Sequence, residues 1–320
     1  MINEYLRPFW ITGLNDITGK TDYRFLDLIN RRKSYVIYQQ IKPTAFTLNI
    51  TDTDSVLRSI ACDINRFGCA SIESINEINY KKKLPHSHAW KCINAYYGAY
   101  YAAHSILRII GISCTNFEAN DLQNVELIAD LYGLKNNVNI TKGYYKCSID
   151  INNNLIDCIK ISTSRNLGSH EQMWLVFLNF IDHFIIELAK KAASIEVQSV
   201  ITKIQELKDN LTYMGYNGGN WLSRVRNDIN YKHVDGIWFP YKDVNKYLDD
   251  ITKLINKWDV DPMQIDISSY VGKYYMRFAS TCVFLISLFR SMAIEMSKRC
   301  SKRGHSFHEN GSISLINHIK

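Results

Sequence analysis

The chain has little of what marks the special classes of protein. Only 5 Pro and 15 Gly occur in 320 residues, which excludes a collagen-like repeat and a low-complexity chain. The 8 cysteines, at 62, 69, 92, 114, 147, 158, 282 and 300, include no CxxC pair. Their scatter fits reduced, mostly buried thiols better than a disulfide or zinc framework. Met1–Pro8 has no basic stretch leading into an apolar core, so no signal peptide is expected. The longest clean apolar run, Phe278–Phe289, is closed by Arg277 and Arg290; it is too short to span a bilayer and reads as a buried helix. These absences point to a cytoplasmic protein with no membrane attachment.

What is present is a globular composition. The chain is 46% hydrophobic and 22% charged, which excludes a largely disordered chain. Its 38 Lys+Arg against 31 Asp+Glu leave a net charge of 38 − 31 = +7, which permits an acidic partner such as nucleic acid without requiring one. The length allows one large domain or two ordinary ones.

Patterning gives the expected elements. Ser34–Tyr38 and Ala45–Ile50, around the turn Lys42-Pro43-Thr44, read as a hairpin. A helix capped by Thr53 or Asp54 is expected to stop at Gly68, followed by a second from Ser71 to Lys83. The clearest helix spans about 88–110: Trp90, Ile93, Tyr97, Tyr100, His104, Leu107 and Ile110 recur at three- and four-residue steps, and Gly111 ends it. Further helices are expected at about 121–132, 171–191, 195–213, 221–231 (capped by Asn220), 244–258 and 270–299. Tyr144–Ile151 and Leu155–Ile161, flanking Asn152-Asn153-Asn154, read as a second hairpin. The expected organisation is a mixed α/β N-terminal region over 1–83, a mainly α domain over 84–300 with the 144–161 hairpin inserted, and a frayed polar tail over 301–320.

Three groups of residues invite a chemical reading. Gly19-Lys20-Thr21 ends like a phosphate-binding P-loop, but five residues separate it from Gly13 where the pattern needs four, so a polar turn is the better reading. His86 and His88 with Cys92 are metal-ligand types without a fourth ligand at a recognised spacing, so no metal and no other cofactor is expected. The third group is Ser223 to His233, where polar residues concentrate. Arg226 and His233 are seven apart, two helical turns, about 10 Å along a continuous helix. Leaving the helix near Tyr231 would bring His233 round. Arg is a permanent cation whose planar donor fork suits phosphate, and His exchanges protons near neutral pH. Together they suit attack of an RNA 2′-OH on its own phosphate, with His moving the proton and Arg stabilising charge on the phosphoryl oxygens. The plainer alternative pairs Arg226 with Asp228 or a neighbour and sets Lys232 and His233 at a helix C-terminus, where the dipole favours cations.

The segment Trp90–Gly111, with Tyr96-Tyr97-Gly98-Ala99-Tyr100-Tyr101-Ala102-Ala103, resembles the first helix of HEPN domains. Arg226-Asn227-Asp228-Ile229-Asn230-Tyr231-Lys232-His233 resembles the HEPN signature, an Arg and a His separated by four to six residues, often with a polar residue after the Arg. The resemblance covers about a fifth of the chain; about a hundred residues separate the two segments, more than in a minimal HEPN domain. It implies a mainly α, HEPN-like helical bundle with a β-hairpin insertion and a small mixed α/β N-terminal part. It implies a metal-independent endoribonuclease acting as a toxin or effector in bacterial anti-phage defence, with Arg226 and His233 catalytic and Asn227 supporting. Arg224, Lys232, Asp228 and Tyr231 would line the RNA site. A homodimer is implied, and an antitoxin or another defence protein as partner. Some HEPN domains have lost cleavage, so the implied alternative is an inactive module that binds RNA, a nucleotide or a protein within a defence complex.

Overall fold

The computed structural model describes residues 1–80, 87–161, 167–191, 194–233, 236–238, 248–270, 272–302, 304–309 and 311–319. Lys81–Lys83, His86, Arg303 and the start of the helix expected from Val244 lie outside these residues. In chain order the elements are α1 (Ile2–Leu6), α2 (Phe25–Asp27), β1 (Tyr35–Ile37), β2 (Ala45–Ile50), α3 (Thr53–Tyr80), α4 (His88–Ile109), β3 (Ile112–Phe117) and α5 (Ala119–Leu131). They continue with β4 (Gly143–Asp150), β5 (Leu155–Lys160), α6 (Ser169–Ala189), α7 (Ile195–Leu211), α8 (Trp221–Asn227), α9 (Leu248–Ile255), α10 (Tyr274–Lys298) and α11 (Ser312–Ile319). The protein is mainly helical, with one small antiparallel sheet.

The centre of the fold is α10. Every residue from Phe278 to Phe289 is buried, so this stretch of the helix is surrounded by protein on all sides. Helices α3 and α4 run antiparallel beside it. Ser71 donates to the Gly98 carbonyl, Ser105 to the Ile64 carbonyl, and Arg108 meets Asp63, so the register falls on one helix as it rises on the other.

Gly68 does not end a helix. It lies inside the 28 residues of α3, where a Cβ would come 2.4 Å from Cζ of Phe289. Its missing side chain lets α10 approach, so packing overrides the local stop signal. The cap of α3 is also one residue earlier than expected: Asp52 accepts the Ser55 N–H at 3.2 Å. Asn220 occupies the N-cap position of α8 as expected, but its side chain accepts no helix N–H; its amide donates to Glu171 at 3.1 Å instead, tying the start of α8 to α6.

Both expected hairpins form, and they share one sheet, in the order β1-β2-β5-β4-β3. The sheet therefore takes strands from both sides of residue 83. Ala45 to Asn49 pairs antiparallel with Ile159 to Leu155. Strand β3 was not anticipated; Ile112-Ser113-Cys114-Thr115-Asn116-Phe117 completes the edge beside β4. One face buries Phe46, Phe117 and Tyr145, whose ring centroids are 5.4–5.8 Å apart.

The described residues of the 301–320 tail, expected to fray, are packed instead. Phe307, Ile313 and Ile316 are buried, and Asn65 of α3 donates to the Ser306 carbonyl and accepts from the Ser312 N–H. Its polar composition conceals three apolar residues that find a place on α3. Residues 13–21 are not a purely polar turn: a 3-10 turn at Leu14–Asp16 buries Leu14, and Ile17 is buried after it. Gly19 N–H donates to the Gly304 carbonyl, and every strand pairing in the described sheet is antiparallel, unlike the scaffold of a P-loop.

Candidate functional site

Helix α4 organises the region. Ser87 caps it, accepting the Trp90 N–H, and its tyrosines face α6 and α8. Helix α8 buries Trp221, Leu222, Val225 and Arg226, and the turn that follows adds Ile229, a stripe at helical spacing. Arg226 is thus a member of the buried stripe, 7% exposed, with its guanidinium carbon 5.2 Å from the Tyr96 ring centroid and 5.7 Å from that of Tyr97. Such contacts are favourable for a desolvated cation. Its Nε is buried without a hydrogen-bond partner.

A regular helix would carry His233 onto the same stripe. The chain instead widens into a π-helical turn over Asp228–Lys232 and then reverses at His233, which has φ of 51°. His is one of the few side chains found with any frequency in that left-handed conformation. The helix thus ends near Tyr231 as the polar sequence allows, and His233 is exposed. Its ring lies 5.2 Å from that of Trp238, whose indole N–H donates to the Ile229 carbonyl at 2.7 Å and whose ring meets Trp90 edge-on at 5.8 Å.

The remaining expected site residues divide by charge. Asp228 accepts from Arg224 at 3.0 Å and pairs with Lys232 at 2.8 Å, so one carboxylate holds both cations. Tyr231 is 70% exposed, and Asn227 is half-buried. Arg226 and His233 thus face different surroundings, the first the tyrosines of α4 and the second solvent and Trp238. Cys92, the thiol of the rejected metal reading, is fully buried and pushed up to about 12 by that burial. No cluster of three or more metal-ligand side chains occurs among the described residues.

The residue that sequence spacing did not reveal is His170, in the first turn of α6. Its Nδ1 is 2.8 Å from the hydroxyl of Tyr96, which also accepts the Trp174 indole N–H at 3.3 Å. The imidazole stacks on Tyr100 with centroids 4.0 Å apart and meets Tyr97 edge-on at 6.1 Å. Burial, aided by the charge of Arg226, draws His170 down to about 4. It is therefore neutral at pH 7. Burial raises the Tyr96 phenol, against the pull of Trp174, Ser223 and Arg226. The region thus holds one buried cation, one neutral histidine fixed by tyrosines, and one exposed histidine. A signal for His170 was present only in three dimensions: 74 positions separate it from Tyr96.

No family model, curated protein or solved structure matches the chain.

Proposed function

We propose that the protein is a metal-independent endoribonuclease of HEPN type, a cytoplasmic toxin or effector of bacterial anti-phage defence that works as a homodimer. The observation that carries this reading is the split ending of α8. The Arg226 guanidinium is held against α4 by Tyr96 and Tyr97, while the π-turn leaves His233 exposed on the same segment. In the reaction, His233 takes the proton of an RNA 2′-OH as that oxygen attacks the adjacent phosphorus. The bond to the 5′-oxygen breaks, and that oxygen receives a proton. The products are a 2′,3′-cyclic phosphate and a 5′-hydroxyl. Positive charge from Arg226 stabilises the phosphoryl oxygens during the step. Asn227 supports the pair, Arg224 and Lys232 add backbone contacts, and an antitoxin or another defence protein controls the activity.

The test is incubation with labelled RNA in EDTA. Cleavage to 2′,3′-cyclic ends that falls at least a hundredfold in His233→Ala supports the reading. Cleavage unchanged in both His233→Ala and Arg226→Ala, or none by the wild type with any RNA, overturns it. The 7% exposure of Arg226 favours a second reading, an inactive module of the same type that binds RNA, a nucleotide or a defence protein. RNA binding without cleavage by the wild type selects it.

A further inference from the structure

The contacts around Tyr96 constrain the state of His170. A phenol oxygen has one proton to give and two lone pairs to receive. The Trp174 indole is only a donor, and it takes one lone pair. Arg226 is only a donor as well, and it acts on the same oxygen together with the Ser223 hydroxyl, which can give or take. With the donors Trp174 and Arg226 on the lone pairs and Ser223 free to turn its own hydrogen, the proton of Tyr96 can be given to Nδ1 of His170, 2.8 Å away. A neutral imidazole that accepts at Nδ1 carries its own proton on Nε2. The ring cannot turn freely, because Tyr100 stacks on one face and Tyr97 abuts its edge. A position in the first turn of α6 also disfavours the imidazolium, since the positive end of the helix dipole is there. The residue is half-buried.

We propose that His170 is a second histidine of the site: Tyr96 fixes it as the neutral Nε2–H tautomer, and that N–H donates to a phosphoryl oxygen of RNA beside Arg226. The proposal rests on the ribonuclease reading for its ligand, a phosphodiester. It assigns the two histidines different tasks. His233 moves protons; His170 gives a hydrogen bond and keeps its proton throughout. Tyr96 is then a positioning residue, acting through His170 and through its ring contact with the Arg226 guanidinium.

The test uses the full chain labelled with ¹⁵N-histidine, the His170 signal being assigned by its loss in His170→Gln. The probe is a 2′-O-methyl oligoribonucleotide, which binds but has no 2′-OH to attack. At pH 7 the His170 nitrogens should report one neutral tautomer with Nε2 protonated, and the Nε2 signal should shift as the probe is added. Tyr96→Phe should convert it to a mixture of tautomers while the melting curve stays cooperative. In cleavage assays His170→Phe, which keeps the aromatic stack, should lower kcat by about 10²–10³, the loss typical of one oxyanion donor. His170→Gln, which keeps a donor, should recover part of it. A tautomer protonated at Nδ1, a signal unmoved by saturating probe, or wild-type kcat in His170→Phe would overturn the proposal. Failure of the ribonuclease reading is separately visible, because a wild type that cleaves no RNA still shows its tautomer and its response to the probe.

Discussion

The hydroxyl of Tyr96 lies 2.8 Å from Nδ1 of His170, joining the middle of α4 to the first turn of a helix 74 positions later. Around this bond the tyrosines of α4 serve as a wall rather than as plain core: they seat a cation on one side and a neutral imidazole on the other. The same wall makes several outcomes measurable.

Buried histidines set an acid limit on stability. Burial, then Arg226, holds His170 at about 4, and burial holds His305 at about 4, against an ordinary 6.5. The unfolded chain therefore binds more protons than the folded one between these values. Their contribution is complete above pH 6.5 and is lost as pH falls toward 4. Asp27, held at about 2 by Arg24, matters only below its ordinary 3.8. Melting temperature should fall on acidification from pH 6.5, and His305→Phe should flatten that slope. An unchanged slope in this variant would show that His305 is not among the titrating groups.

Asp63 and Arg108 are 7% and 3% exposed at the side chain and approach to 3.4 Å. Arg108 also contacts His104 and lies 4.4 Å over the Phe67 ring. Removing the carboxylate leaves a cation without its counter-ion in the interior. Asp63→Ala should cost about 3–5 kcal/mol in urea unfolding. A cost below about 1 kcal/mol, the range of exposed pairs, would mean that water reaches Arg108.

Gly68→Ala places a methyl group where Phe289 already stands, 2.4 Å away. Overpacking of this kind costs about 1–3 kcal/mol. Phe289→Leu should relieve part of the cost, so that the double variant is more stable than the sum of the single changes allows. Strict additivity would place the strain elsewhere.

Asp228 pairs with both Arg224 and Lys232 in the free protein and offsets one of their two positive charges. If RNA runs past these residues, Asp228→Asn should tighten binding of a 2′-O-methyl oligoribonucleotide. It should also steepen the salt dependence, each freed phosphate contact adding about 0.7 to the slope of log K against log salt. An unchanged slope in filter binding between low and moderate salt would direct the RNA path away from α8.

Local patterns were readable and distant pairings were not. Helix α4 follows from period and the strands of both hairpins from composition and turn residues, and the helix does end near Tyr231. The α4 stripe itself differs, since Trp90 is 53% exposed and Tyr96, outside it, is buried. Gly68 misled because a glycine that ends a helix and one that admits a neighbour look alike; Phe289, which distinguishes them, lies at the far end of the chain. Strand β3 is a short mixed segment that becomes a strand by pairing with β4. The spacing of Leu222, Val225, Arg226 and Ile229 did contain a warning: Arg226 shares the apolar stripe and is buried with it. His170 carried no local mark.

The closing pairing has a temporal side. Thr18 bridges His305, Ser306 donates to the Ile17 carbonyl, and Asn65 is satisfied by Ser306 and Ser312. Contacts so remote in sequence are slow to form and must wait for both partners. On the ribosome, the turn at 13–21 and the side chain of Asn65 therefore stay open until residues 304–312 have emerged. Chains released early are missing the segment that covers α3.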